Sequence, residues 1–168
     1  MRGRSSGIQI LPAILPEVKQ VTTFIREPTW VSPVQGLEQH IFSEQELHDF
    51  ANKPGDLTDY RKANEDVLNS VWPLFLRDTK MQEEGRKDWL QQMKSKLGDP
   101  YLESKLIPQW SVGCRRITPG INYLESLSKD NVKVVYGEIN EITERGCKGD
   151  DGKEYPVDVL ICATGFDT

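Results

Sequence analysis

The sequence predicts an α/β fold, on three observations. Near the start, a helical pattern runs straight into a β-branched, aromatic stretch, "VTTFIRE". Near the end, a short helical pattern is followed by "NVKVVYGEI" and then by a hairpin signal, "KGDDGK". Last comes a near-continuous apolar run, Val157 to Ala163, which reads as a strand covered on both faces, as in a parallel sheet. Helices and strands that alternate along a chain argue for α/β layering rather than a bundle or a sandwich.

The first segment, residues 1–30, is read as turn, helix and strand. In "SSGIQILPAILPEVK" the residues Ile8, Leu11, Leu15 and Val18 fall on one helical face. A helix feeding a strand in this way is one αβ half-unit, normally preceded by a strand that this sequence does not supply. Residues 31–110 are polar and helical. Ser43 and Glu46 form a capping-box pattern before Leu47 and Phe50, and Pro73 interrupts the longer helices. Met81, Trp89, Leu90, Met93 and Leu97 recur at helical spacing and are read as a packing stripe. Residues 111–168 return to strands.

Composition narrows the function classes. The chain has 168 residues, net charge −5 and 37% hydrophobic residues, an ordinary balance for a soluble globular protein. Acidity with no basic stripe argues against nucleic acid or anionic lipid, and no apolar run approaches the roughly 18 residues of a membrane span. The basic, then apolar start is punctuated by Pro12 and Pro16 and has no small-residue cleavage site, so it does not read as a signal peptide. Cys114, Cys147 and Cys162 are odd in number and widely spaced. They suit reduced thiols in the cytoplasm, with neither a disulfide framework nor a metal site. His40 and His48 have no partners at ligand spacing and are expected at the surface.

Three clusters carry candidate chemistry. "GRSSG", Gly3 to Gly7, opens a helix, and a glycine-rich turn there presents backbone N–H groups to a pyrophosphate. A GxGxxG ending at Gly7 needs glycines where Arg2 and Arg4 stand, so an ordinary helix entry remains the alternative. Arg26 follows the strand "VTTFI", at the position where an arginine accommodates a ribose 2'-phosphate and so selects NADP over NAD; a surface arginine paired with Glu27 or another acid is the rival. The third cluster, "VGCRRITPGINYLE", sets Arg115 beside Arg116 ahead of a Thr-Pro-Gly turn. Adjacent guanidiniums repel unless an anion lies near them, so a phosphate or an anionic intermediate is one explanation and a solvated surface pair the other.

"SSGIQILPAI", "FIREPTW", "GCRRITPGINYLE", "DNVKVVYGEINEIT" and "DVLICATGFD" occur in the order and approximate spacing of flavin-dependent Baeyer-Villiger monooxygenases, and resemble their fungal branch associated with secondary metabolism. The resemblance spans essentially the whole chain; the helical middle matches more loosely, best around "DPYLESKLIPQW". It implies an incomplete Rossmann-like NADP-binding domain whose first strand is missing, interrupted by a helical insertion over 31–110 and ending in a hairpin and strand that return to the FAD domain.

The resemblance also assigns roles. Ser5, Ser6, Gly7 and Gln9 match the turn and helix start that hold the NADP pyrophosphate, and Arg26 matches the arginine on its 2'-phosphate. Arg115 matches a basic position that assists with that phosphate. Arg116 matches the active-site arginine near flavin and nicotinamide, held to stabilise the anionic flavin peroxide. Ala163, Thr164 and Gly165, with Phe166, match the turn that passes close to the flavin. The implied reaction uses FAD, NADPH and oxygen to convert a ketone to an ester or lactone. The FAD-binding motif and the fingerprint of Phe, Gly, His, Thr and Trp that marks these enzymes do not occur in the sequence. The expectation is therefore a truncated chain, marginally stable alone and without its own FAD. A catalytically inactive remnant that binds a nucleotide or a partner, and an N-hydroxylating flavin monooxygenase, are the alternatives.

Overall fold

The computed structural model describes residues 5–32, 40–115 and 117–164. Helix α1, Ser5–Ile14, buries Ile8 and Leu11. The expected apolar face stops short of its predicted length: Leu15 belongs to a 3-10 turn, Leu15–Glu17, and Val18 is 37% exposed. Pro16 explains the stop, because it disfavours helical geometry at the residue before it. Strand β1, Val21–Ile25, follows, then the two-residue β2, Val31–Ser32.

The polar middle is helical as expected. Helix α2, Glu44–Asn52, opens on the capping box: the Ser43 N–H donates to Glu46 Oε2 at 2.7 Å and the Glu46 N–H to Ser43 Oγ at 3.3 Å. The Ser43 N–H and hydroxyl, both donating to Oε2, hold the Glu46 carboxyl down at about 2, with His40 assisting. Helix α3, Asp56–Ser70, ends at a 3-10 turn, Trp72–Phe75, around Pro73. Helix α4, Lys80–Leu97, is capped by the Thr79 side chain and stopped by Gly98 in the left-handed region, φ 59°. Asp99 caps α5, Pro100–Leu106.

Strand β3, Thr118–Pro119, pairs in parallel with β2, so the Thr-Pro-Gly motif is a strand end rather than a free turn. Helix α6, Tyr123–Leu127, leads into β4, Val132–Tyr136. β4 pairs in parallel with β1, in register from Val21 opposite Val132 to Ile25 opposite Tyr136. β5, Ile139–Thr143, β6, Gly146–Gly149, and β7, Glu154–Pro156, form an antiparallel meander whose last turn is the predicted hairpin. It joins β1 through Phe24, whose ring meets Tyr155 edge-on at 5.1 Å.

One expectation fails. Val157 to Ala163 is not a strand covered on both faces: it makes no ladder, and Val159, Leu160 and Ile161 are 74%, 38% and 48% exposed. A strand exists only where a neighbour takes up its backbone groups, and no strand among the described residues pairs with this run.

The core draws on both ends of the chain and on the second half of the helical middle, with nothing from α2 or α3. Ile8, Leu11, Trp30, Met93, Leu97 and Leu124 belong to one buried cluster, so α1, α4 and α6 close on each other behind β1 and β4. Met93 and Leu97 bear out the packing stripe, while Met81, at 41% exposure, lies outside it. His40 and His48 are at the surface, with ring nitrogens 3.0 Å from a Glu46 oxygen and 3.5 Å from an Asp49 oxygen. Among the described residues no helix can cross a membrane and no group of residues could hold a metal ion.

Candidate functional site at the end of β1

The chain reverses at the C-terminal end of β1, and two of the predicted arginines meet there. Arg26 leaves the strand and its Nη1 donates to Glu138 Oε1 at 3.1 Å, across the sheet just past β4. Arg115 comes from the loop after α5, and its Nη1 donates to Glu27 Oε2 at 2.5 Å. Glu27 adjoins Arg26, so residues far apart in sequence bring two guanidiniums to one strand end.

The sequence of α4 fixes the loop that carries Arg115. Gln82 is buried and its Nε2 donates to the carbonyls of Leu74 at 3.2 Å and Val112 at 2.8 Å. Arg86 donates to the Gln109 carbonyl at 2.8 Å. Gly113 takes φ +82°, a left-handed geometry that glycine adopts without penalty, and turns the chain toward Arg115. Trp110 then serves as a shelf: the Arg115 guanidinium lies 4.4 Å from its ring centroid. A guanidinium seated on an indole and tied to a carboxylate is aimed, not free to sample the solvent.

The helix start and the ATGF segment also come together. A Cβ at Gly7 would lie 3.9 Å from Ala163 Cβ, and Gly7, Glu27 and Ala163 line one groove of about 760 Å³. Ser6, Gln9 and Thr164 are exposed, and Ala163 is half-buried. Ser5 is the first residue of α1. Arg116 and Gly165 lie outside the described residues.

The ion pairs give the bland reading of Arg26 its geometric basis: each arginine has a carboxylate in place, and each pair is solvent-exposed and so worth little in stability, about 0–1 kcal/mol. The same exposure makes either carboxylate cheap to displace by a ligand oxyanion. Sequence reasoning missed Trp110, Glu138 and Gly120. A Cβ at Gly120 would stand 2.7 Å from Val31 Cγ1 and 2.9 Å from Ile8 Cγ2, so glycine lets the strand end after β3 press onto α1. The "TPG" string marked the turn chemistry but not this contact. All three cysteines are free, Cys147 is buried, and burial pushes its thiol up.

No protein-family model matches the chain. Individual relatives do. It is 33% identical over 166 residues to the FAD-binding monooxygenase moxY of Dothistroma septosporum and 34% identical to the FAD-binding monooxygenase stcW of Emericella nidulans, in each case over 97% of this chain. A Baeyer-Villiger monooxygenase of Streptomyces coelicolor is 32% identical over 96% of it. The chain spans 26%, 28% and 31% of those relatives. Among solved structures, OTEMO in complex with FAD and NADP superposes with TM-score 0.77 at 23% identity over 98% of this chain and 37% of its own. Cyclohexanone-bound cyclohexanone monooxygenase gives 0.72 at 22% over 98% and 39%. These superpositions show a shared fold.

Proposed function

We propose that this chain is one stretch of a flavin-dependent Baeyer-Villiger monooxygenase, on its likeness to the relatives named above, and that it forms the NADP-facing part of such an enzyme. On this reading the fold is Rossmann-like, with residues 1–30 and 111–168 forming the dinucleotide domain, 31–110 inserted, and the C-terminal hairpin leading back toward a FAD domain. The observation that supports it most is the meeting of Arg26 and Arg115 at the end of β1, beside the groove that Gly7 and Ala163 line.

The residues fit the cofactor. A 2'-phosphate needs fixed positive charge with donors in a fork, and two guanidiniums whose carboxylate partners are solvent-exposed provide it. Arg26 and Arg115 take the 2'-phosphate, exchanging Glu138 and Glu27 for its oxygens. Trp110 keeps Arg115 aimed during that exchange. The N–H groups at the start of α1, with Ser5, Ser6, Gly7 and Gln9, hold the pyrophosphate, and a ten-residue helix supplies the favourable dipole. The resemblance assigns Arg116 and the segment Ala163, Thr164, Gly165 to the flavin, a role that suits arginine because a guanidinium stays protonated at any working pH. When bound, NADPH supplies hydride and FAD supplies the oxygen-activating chemistry; the protein contributes binding, orientation and charge.

Of the relatives named above, that of Streptomyces coelicolor is a Baeyer-Villiger monooxygenase, which supports ketone-to-ester or lactone chemistry with oxygen for the assembled enzyme over N-hydroxylation. A place in secondary metabolism is part of the proposal on the likeness of the sequence to the fungal branch alone. The test is a titration of the 168-residue chain with NADPH, followed by tryptophan fluorescence and calorimetry. Saturable binding that is lost in the Arg26→Ala, Arg115→Ala double variant is the expected result. Equal binding by the double variant overturns the assignment.

A further inference from the structure

Two acids stand among the arginines at the end of β1, and they are not equivalent. Arg26 and Glu27 are consecutive, yet they part to different partners: Arg26 reaches Glu138 just past β4, and Glu27 meets Arg115 in the loop before β3. Glu138 has its backbone pinned to the β6–β7 turn. Its N–H donates to Asp150 Oδ2 at 3.1 Å and its carbonyl accepts from the Asp150 N–H at 3.0 Å. Glu27 instead shares a groove lining with Gly7, which Arg26 and Glu138 do not.

The chemistry of a dinucleotide gives that difference a consequence. The adenosine ribose is joined to the pyrophosphate through a single carbon, so phosphates held at a helix start bring the ribose hydroxyls to the neighbouring strand end. There a carboxylate is the acceptor for the 2'-hydroxyl of a non-phosphorylated dinucleotide, and an arginine is the partner of a 2'-phosphate. The end of β1 carries both, in adjacent residues. The charges of the two pairs also cancel. A 2'-phosphate has to displace the carboxylates. A hydroxyl displaces nothing, because the two oxygens of a carboxylate accept from a guanidinium and a hydroxyl together.

We propose that Glu27 is a specificity-determining residue of this strand end, accepting the ribose 2'-hydroxyl of NADH, so that the site takes both dinucleotides: NADPH through the arginines and NADH through Glu27. The proposal rests on the nucleotide reading given above. With NADH bound, Arg115 keeps its pair with Glu27 and its seat on Trp110, 4.4 Å from the ring centroid, and so acts as a positioning residue for the carboxylate. Arg26 keeps Glu138. With NADPH bound, both pairs open. Pro28 adds to the hold on Glu27, because the residue before a proline has few backbone conformations open to it. One strand end thus supports two alternative networks, and the preference for NADPH is the difference between them.

Calorimetry on the 168-residue chain compares NADPH, NADH and 2'-deoxy-NADH, which lacks the adenosine 2'-hydroxyl, across the native chain, Glu27→Gln and Glu138→Gln. The native chain binds NADH, less tightly than NADPH. Glu27→Gln weakens NADH at least about fivefold, through loss of a hydrogen bond to a charged acceptor. It binds NADPH at least as tightly as before, so its preference for NADPH widens. 2'-Deoxy-NADH binds the native chain as weakly as NADH binds Glu27→Gln, and the two losses do not add when combined, as expected of one shared contact. Glu138→Gln removes the same charge from the site and does not weaken NADH. No NADH binding by the native chain, an NADH affinity indifferent to Glu27→Gln or to the missing hydroxyl, or a Glu27→Gln chain that loses NADPH and NADH alike overturns the proposal. The arginine double variant separates the two failures. If it loses NADPH while any of these results is found, the nucleotide assignment stands and the role of Glu27 falls; if it keeps NADPH, both fall.

Discussion

Helices α3 and α4 are neighbours of similar composition, yet they do opposite work. α3 buries nothing: Val67 and Leu68 are 67% and 58% exposed, and its Tyr60 packs edge-on to Phe42 in a small surface aromatic cluster with Phe50. α4 sends Met93 and Leu97 to 1% exposure and holds the arginine loop through Gln82 and Arg86. A helix of mostly polar residues therefore either carries the site or merely covers a surface. What separates the two is where its few apolar residues find a partner, not how many it has.

That contrast predicts a graded set of effects. Leu97→Ala should cost about 2–5 kcal/mol in chemical denaturation, through lost burial and the cavity left behind, whereas Leu68→Ala should stay within about 0.5 kcal/mol. Equal costs would break the comparison. Gly120→Ala, forced against Val31 and Ile8, should lose about 1–3 kcal/mol by overpacking. Ser43→Ala should cost about 1 kcal/mol of α2 stability, read by circular dichroism, with no change at the arginine site. The pH dependence follows from the same cap. The folded Glu46 carboxyl is lowered to about 2 from an ordinary 4.5 by its bonds to Ser43. Its contribution is thus complete above about 4.5 and is lost as pH falls toward 2. Acid titration of α2 helicity should show that window in the native chain, and a narrower one in Ser43→Ala, which loses the hydroxyl donor but keeps the backbone N–H that lowers the carboxyl most. Smallest of all, Glu138→Gln should barely change stability, because its pair with Arg26 is exposed.

The helices and the first strand were legible because their signals are local. The Ser43 and Glu46 box, the break at Pro73 and the turn at "KGDDGK" each act within a few residues. Val157 to Ala163 misled because a continuous apolar run states only that a segment wants to be covered; whether a partner strand stands beside it is a long-range matter. The arginine pair was visible as charge in an acidic chain. The arrangement that aims Arg115 was not: Trp110 lies five residues upstream and Glu27 pairs from the far end of the sequence, and no local spacing ties either to Arg115.

The central claim is that the end of β1 reads a ribose phosphate. The most direct test is the ratio of NADPH to NADH affinity, measured by calorimetry on the native chain and on Arg26→Ala. The native chain should favour NADPH by at least about tenfold, in line with about 1.5–3 kcal/mol for a hydrogen bond to a charged group, and the ratio should fall close to one in Arg26→Ala. An unchanged ratio in the variant, or no preference in the native chain, would contradict it.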